Sequence, residues 1–120
     1  MKNIKETSGR NQCIIINRKL ARTIGLMEAV ILEALLEKYT VKETADDGYF
    51  ACTVEDLQNA TTLTRYVQER VIKKLCDLGF VSKKLKGAPA LRCFKINFGR
   101  LWMALKEQKE EKEQKHANCK

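Results

Sequence analysis

Arg65, Tyr66, Gln68, Glu69, Arg70 and Lys73 fall within nine consecutive residues, and their types span the chemistry needed to read the edges of base pairs. Arginine can donate two parallel hydrogen bonds to guanine O6 and N7, glutamine can engage adenine in the same bidentate way, and glutamate can accept from the cytosine amine. A second group, Lys83, Lys84, Lys86 and Arg92, offers point charges suited to phosphate or to a narrow minor groove rather than to base discrimination. Both groups lie in residues 65–105, which carry ten Lys/Arg against two Asp/Glu, a surplus of +8. Residues 1–64 sum to −1 and residues 106–120 to +1, so the net charge of +8 sits in one third of the chain. Clustered charge with a pI near 9.4 favours a phosphate backbone as partner, an anionic membrane or an acidic protein being the other polyanions it would fit.

The elements that must position these side chains follow from periodicity and punctuation. Residues 1–12 are polar and form no core, and Cys13–Ile16 is a β-branched run suited to a short strand or a buried extended segment. Asn17 is placed to cap a helix over Arg18–Ile24, which Gly25 stops. From Leu26 to Tyr39 apolar residues occur nearly all around the helical wheel, so this helix is expected at the centre of a core or partly covered by a second subunit. Lys42–Gly48 is an acidic loop in which Asp46 and Asp47 read as turn residues, and Tyr49–Cys52 a short strand. Thr53 caps a second short helix with Leu57 as its buried contact, and Ala60–Leu63 forms a turn. Thr64 caps a third long helix whose inner stripe is Val67, Val71, Leu75 and Leu78, ended by Gly79. That stripe leaves Arg65, Tyr66, Glu69 and Lys73 on the opposite side with Gln68 and Arg70 at its flanks. Phe80–Leu85 and Leu91–Asn97 are two strands joined by a tip at 86–90. Helix, turn, helix and hairpin in that order is a winged helix-turn-helix, an α+β class that is mainly α, here with a C-terminal helix.

Two aromatic residues have competing readings. Tyr66, at the second helical position, is either a phosphate or base contact or a packing residue against the preceding turn. Trp102, between Leu101 and Leu105, reads as a plug over the central helix in preference to a stacking platform. After Leu105 the apolar residues stop, and the spacing of Lys106/Glu110, Lys109/Glu113 and Glu111/Lys115 supports a solvated helix without a coiled-coil seam. The organisation expected is therefore a loose N-terminus over 1–12, one folded domain over 13–105 and a polar charged tail over 106–120.

Five cysteines, an odd number without C-x-x-C spacing, argue against a disulfide framework and a zinc knuckle and point to reduced thiols in the cytoplasm. No apolar run is long enough for a membrane span, and no signal-peptide core begins the chain. Catalysis finds no support: there is no Gly-rich phosphate loop, no H-E-x-x-H, and the single histidine, His116, lies in the polar tail. No enzyme, metal or cofactor is expected.

The stretch Leu63–Val81 resembles the recognition helix and first wing strand of prokaryotic winged-helix proteins, in its run of basic residues, paired aliphatics, a Leu and Gly79-Phe80-Val81. With the segment Ile16–Leu26 included, residues 13–98 look most like the N-terminal DNA-binding domain of phage replication-initiation (replisome organiser) and DnaD-like primosomal proteins. The resemblance departs from the common pattern at Thr61-Thr62, where a glycine is frequent. It implies double-stranded DNA as the partner, with a replisome protein as a further one and a role in replication initiation of a phage or mobile element. A transcriptional repressor of the same fold, which would need a dimer, and a winged helix used for protein contacts are the alternatives.

Overall fold

The computed structural model describes residues 13–42 and 44–106, and these form an α+β arrangement, mainly helical, with one small antiparallel sheet. The segment before the first helix is neither the strand nor the buried segment expected: Ile14 packs partly on the core while Cys13 and Ile15 are exposed. Helix α1 (Arg18–Ile24) starts where Asn17 Oδ1 accepts the Leu20 amide at 3.0 Å, satisfying one of the orphan donors of the first turn. It stops at Gly25, whose φ of +111° excludes ordinary side chains, and a Cβ there would run into the Glu28 carboxylate. Helix α2 (Leu26–Val41) therefore begins at once, in a new direction.

The central burial expected of α2 is observed. Ala29, Ile31, Leu32, Ala34 and Leu35 are fully buried, because α2 packs against α1 on one side and against two later helices on others. Its apolar ends, Leu26, Met27, Tyr39 and Val41, remain exposed, so one chain suffices to cover its middle.

After the loop over 44–49, strand β1 (Phe50–Ala51) leads into helix α3 (Val54–Thr61). Thr53 and Asp56 form a reciprocal capping box: Thr53 Oγ1 accepts the Asp56 amide at 3.0 Å and Asp56 Oδ2 accepts the Thr53 amide at 3.1 Å. The three-residue turn to helix α4 (Arg65–Asp77) is made without glycine. Thr62 itself adopts the left-handed conformation, φ +66°, while the Thr61 hydroxyl donates to Leu57 O at 2.7 Å and accepts the Leu63 amide at 3.1 Å. One side chain thus closes both sides of the turn and offsets the strain of a β-branched residue at positive φ.

Strands β2 (Val81–Lys86) and β3 (Leu91–Ile96) follow, and the sheet order is β1–β3–β2 with Lys83 opposite Phe94, Lys84 opposite Cys93 and Phe50 on the other edge of Phe94. Because paired residues of an antiparallel ladder share a face, Val81, Lys83 and Leu85 lie on the side of Phe50, Arg92, Phe94 and Ile96, while Ser82, Lys84 and Lys86 lie on the other. The core joins Leu20, Ile24, Ile31, Leu32, Leu35, Leu57, Val71, Ile72, Leu75, Phe80 and Phe94 in one cluster.

Helix α5 (98–106) closes the core with Leu101 and Ala104, and Leu105 packs against the same cluster. This corrects the place expected for Trp102. A shift of one residue turns a helical side chain by about 100°, so with Leu101 inward Trp102 points away from the core and is 66% exposed. The inner stripe of α4 is corrected in the same way: Val71 and Leu75 are buried as expected, but Val67 is only half-buried and Leu78 caps the helix at the surface. The tail pairs after Lys106, His116 and Cys119 lie outside the described residues. Among the described residues no helix is long and apolar enough to cross a membrane, and Cys52, Cys76 and Cys93 are free thiols.

Candidate nucleic-acid interface

The true inner stripe of α4 is Gln68, Val71, Ile72 and Leu75, at i, i+3, i+4 and i+7, with a glutamine where a purely apolar stripe would place an aliphatic. Gln68 is fully buried and every polar atom of its amide is used. Nε2 donates to Val54 O at 3.1 Å and to Leu63 O at 2.9 Å, and Oε1 accepts from Arg92 Nη2 at 2.9 Å. Arg92 in turn donates from Nε to Cys52 O at 3.2 Å, receives the Cys52 amide on its own carbonyl, and lies over the Phe94 ring at 5.2 Å.

Neither residue can touch a ligand. Gln68 and Arg92, both expected to meet DNA, form instead an internal brace that pins α4 to the start of α3 and to β3. Burial disfavours the charged guanidinium and lowers the Arg92 pKa, yet its ordinary value is high enough that it keeps its proton. Burial also pushes the Cys52 thiol beside it up to about 11, so that cysteine is a packing residue and no nucleophile.

The remaining expected residues divide by face. Arg65, Tyr66, Glu69, Arg70 and Lys73 all stand on the outer side of α4, and Lys83 on β2 lines the same open groove as Tyr66, Glu69, Arg70 and Lys73. Two of the cations are shared with carboxylates one turn on: Arg65 Nε lies 3.4 Å from Glu69 Oε2, and Lys73 Nζ 3.4 Å from Asp77 Oδ2. These exposed i, i+4 pairs are worth at most about 0.5 kcal/mol each, so an arriving phosphate displaces them at little cost. Arg70 reaches only the Met27 sulfur, at 3.8 Å. Tyr66 is 77% exposed, which decides against packing on the preceding turn.

Lys84 and Lys86 sit on the opposite face of the hairpin, where the sequence supplied a partner that charge counting overlooks. Asp47 Oδ2 lies 2.9 Å from both ammonium groups, and the Tyr49 ring lies under Lys84 at 4.2 Å and Lys86 at 5.4 Å. Hydrogen bonds from Lys84, Lys86 and the Tyr49 amide hold the Asp47 carboxyl well below the usual carboxylate range. Asp47 thus fills both a turn and the position that a phosphate would take between two lysines.

Lys74 was absent from the expected set and does not belong to the groove. Its Nζ donates to Ile24 O at 3.0 Å and lies 3.4 Å from Glu28 Oε2, tying α4 to the junction of α1 and α2. Searches against protein-family models, curated proteins and solved structures return no match for this chain.

Proposed function

We propose that the protein is a winged helix-turn-helix module that binds double-stranded DNA with sequence preference, α4 entering the major groove and the β2–β3 hairpin lying along the backbone. The observation that carries this reading is the convergence of Tyr66, Glu69, Arg70 and Lys73 with Lys83 on one exposed groove, with Arg65 exposed at the start of the same helix, in the third of the chain that holds the whole net charge. None of these six is needed by the core, which is how base-reading residues differ from structural ones. The order of elements, α3, turn, α4, hairpin, supports the winged-helix assignment. The part of the proposal that puts it at replication initiation of a phage or mobile element, with a replisome protein as further partner, rests on the resemblance of residues 13–98, and a cytoplasmic location rests on cysteines without disulfide or zinc spacing. A footprint confined to a promoter would turn that part toward a repressor, and a groove that ignores DNA but captures an acidic protein would end the nucleic-acid reading.

The test separates reading from positioning. Arg65→Ala should relax preference at one base pair by roughly 1 to 3 kcal/mol, measured by competition between single-substituted duplexes. Lys83→Ala should weaken all duplexes about equally and reduce the salt slope by about one, and Lys84→Ala should do less, since Asp47 already engages that lysine. Equal losses on every sequence from Arg65→Ala and Lys83→Ala would remove the base-reading role of α4.

Asp47 makes a separate expectation. Asp47→Asn should raise affinity for random duplex a few-fold at low salt, because Lys84 and Lys86 lose their internal counter-ion and gain phosphate as the best alternative. Filter binding at two salt concentrations checks it, and an unchanged or lowered affinity would mean the outer face of the hairpin stays away from DNA.

A further inference from the structure

With Gln68 turned into the core, the polar side chains that α4 offers to a base pair are Arg65, Glu69, Arg70 and Lys73. Arginine and lysine match the acceptors of guanine, and glutamate matches the amine of cytosine. The amide that would match adenine is not among them. An A·T pair shows one feature in the major groove that no unmodified G·C pair carries, the 5-methyl group of thymine, and that feature is apolar. The groove between α4 and β2 has apolar surface to meet it: the Tyr66 ring, 77% exposed, shares the groove with Ile72 and Cys76. Burial pushes the Cys76 thiol up, so it stays protonated and behaves as a small apolar group. We infer that Tyr66 is a specificity-determining residue that reads the 5-methyl group of a thymine, its ring packing on the methyl over the apolar floor of the groove.

The inference rests on the proposed entry of α4 into the major groove, and the rim of its own groove favours that occupant over a purely apolar one. Arg70, Lys73 and Lys83 line the same groove as the Tyr66 ring. The carboxylate among the lining residues, Glu69, turns to Arg65 at 3.4 Å, and Asp77 meets Lys73 only through an exposed pair. An apolar peptide or a second copy seated on Tyr66 would cover these cations without supplying counter-charge, which costs more than contact with one ring returns. A duplex brings phosphates to the rim and a methyl to the floor in one ligand. The ring suits the task, because a tyrosine has only two side-chain torsions to order on contact.

The full chain is titrated with a duplex of its preferred sequence, selected from a random unmethylated pool, in which each thymine is replaced in turn by uracil, the same base without the methyl. At one position the replacement should weaken binding about three- to fivefold, the change expected for one buried methyl-sized group. With a C·G pair at that position, 5-methylcytosine should bind better than cytosine by the same factor, because its methyl occupies the same place on the edge. Enrichment of thymine there in the selected pool identifies it as the natural source of the methyl. Tyr66→Phe should keep the thymine–uracil difference, which a contact through the hydroxyl would not, and Tyr66→Ala should bind both duplexes equally. Since Tyr66 is exposed, thermal unfolding of both variants should stay close to that of the parent. The inference is overturned if duplex binds with the expected salt dependence yet no thymine-to-uracil replacement matters. It is overturned equally if the difference survives in Tyr66→Ala, which would assign it to the shape of the DNA, or if a methyl on cytosine has no effect. Failure to bind any duplex would overturn it together with the proposed function, a result distinct from the others. A dimer of the parent that Tyr66→Ala dissolves in sedimentation would also overturn it, by showing that a second copy covers the ring.

Discussion

Raising monovalent salt from 50 to 200 mM should lower the affinity for random duplex DNA about 250- to 1,000-fold, the drop that accompanies a log–log slope of about −4 to −5. The slope counts phosphates neutralised, at about 0.9 each on B-DNA. Arg70, Lys73 and Lys83 in the α4 groove and the exposed Arg65 at the start of the helix account for about four. If Lys84 and Lys86 exchange Asp47 for phosphate, the count rises to about six, so the measured value also reports on that exchange. No metal or nucleotide should be required. A slope near zero between low and physiological salt would refute the electrostatic basis of the proposed function, and electrophoretic or anisotropy titrations at five or six salt concentrations decide it.

Gln68→Ala should destabilise the protein by about 3 to 5 kcal/mol, although Gln68 lies in the middle of the proposed DNA-reading helix. The substitution removes two donors from the part-buried backbone carbonyls Val54 O and Leu63 O and takes the acceptor from a buried guanidinium. Each orphaned group costs about 1 to 3 kcal/mol, more where a charge is involved, and the cavity adds to that. A domain of this size has about 5 to 15 kcal/mol to lose, so the variant should be only marginally folded at 37 °C. Arg92→Met alone should be severe for the complementary reason, since it strands Cys52 O and Gln68 Oε1. The double variant Gln68→Leu/Arg92→Met should recover part of the loss, because removing both partners of a buried polar contact is far cheaper than removing one. Urea denaturation of the parent, Gln68→Leu, Arg92→Met and the double variant closes the cycle. Purely additive single losses, or a Gln68→Ala protein of normal stability that binds DNA poorly, would return Gln68 to the DNA-contacting set.

Much of the fold was legible because its boundaries are written in side chains that cap. Asn17, Thr53 and Gly25 each act where spacing predicts, and Gly79 follows α4 with φ +85°. The central helix was legible from apolar residues on all sides. The site was legible in part: on a helix of 3.6 residues per turn, Arg65, Tyr66, Glu69, Arg70 and Lys73 had to share the face opposite Val71 and Leu75. Gln68 and Arg92 were not, because polarity suggested exposure. The pattern was nevertheless present, Gln68 falling in register with Val71, Ile72 and Leu75, and Arg92 alternating with Phe94 and Ile96 on the inner face of β3. Strand alternation likewise separates Lys83 from Lys84 and Lys86. What no local pattern carries is the pairing of Asp47 with those lysines, 37 and 39 residues away. Trp102 was misplaced because size and apolarity say how much a residue gains from burial, not which way its helix is turned.

The brace of Gln68 and the tie from Lys74 hold α4 from two sides, one reaching α3 and β3, the other the α1–α2 junction. Neither draws on the residues of the outer face. The lettering of that face is therefore free to vary while its phase is fixed. Exchanges at Arg65, Glu69 or Arg70 should leave the packing of α4 intact, whereas one residue inserted after Gln68 would turn Val71, Ile72 and Leu75 about 100° out of phase with their brace.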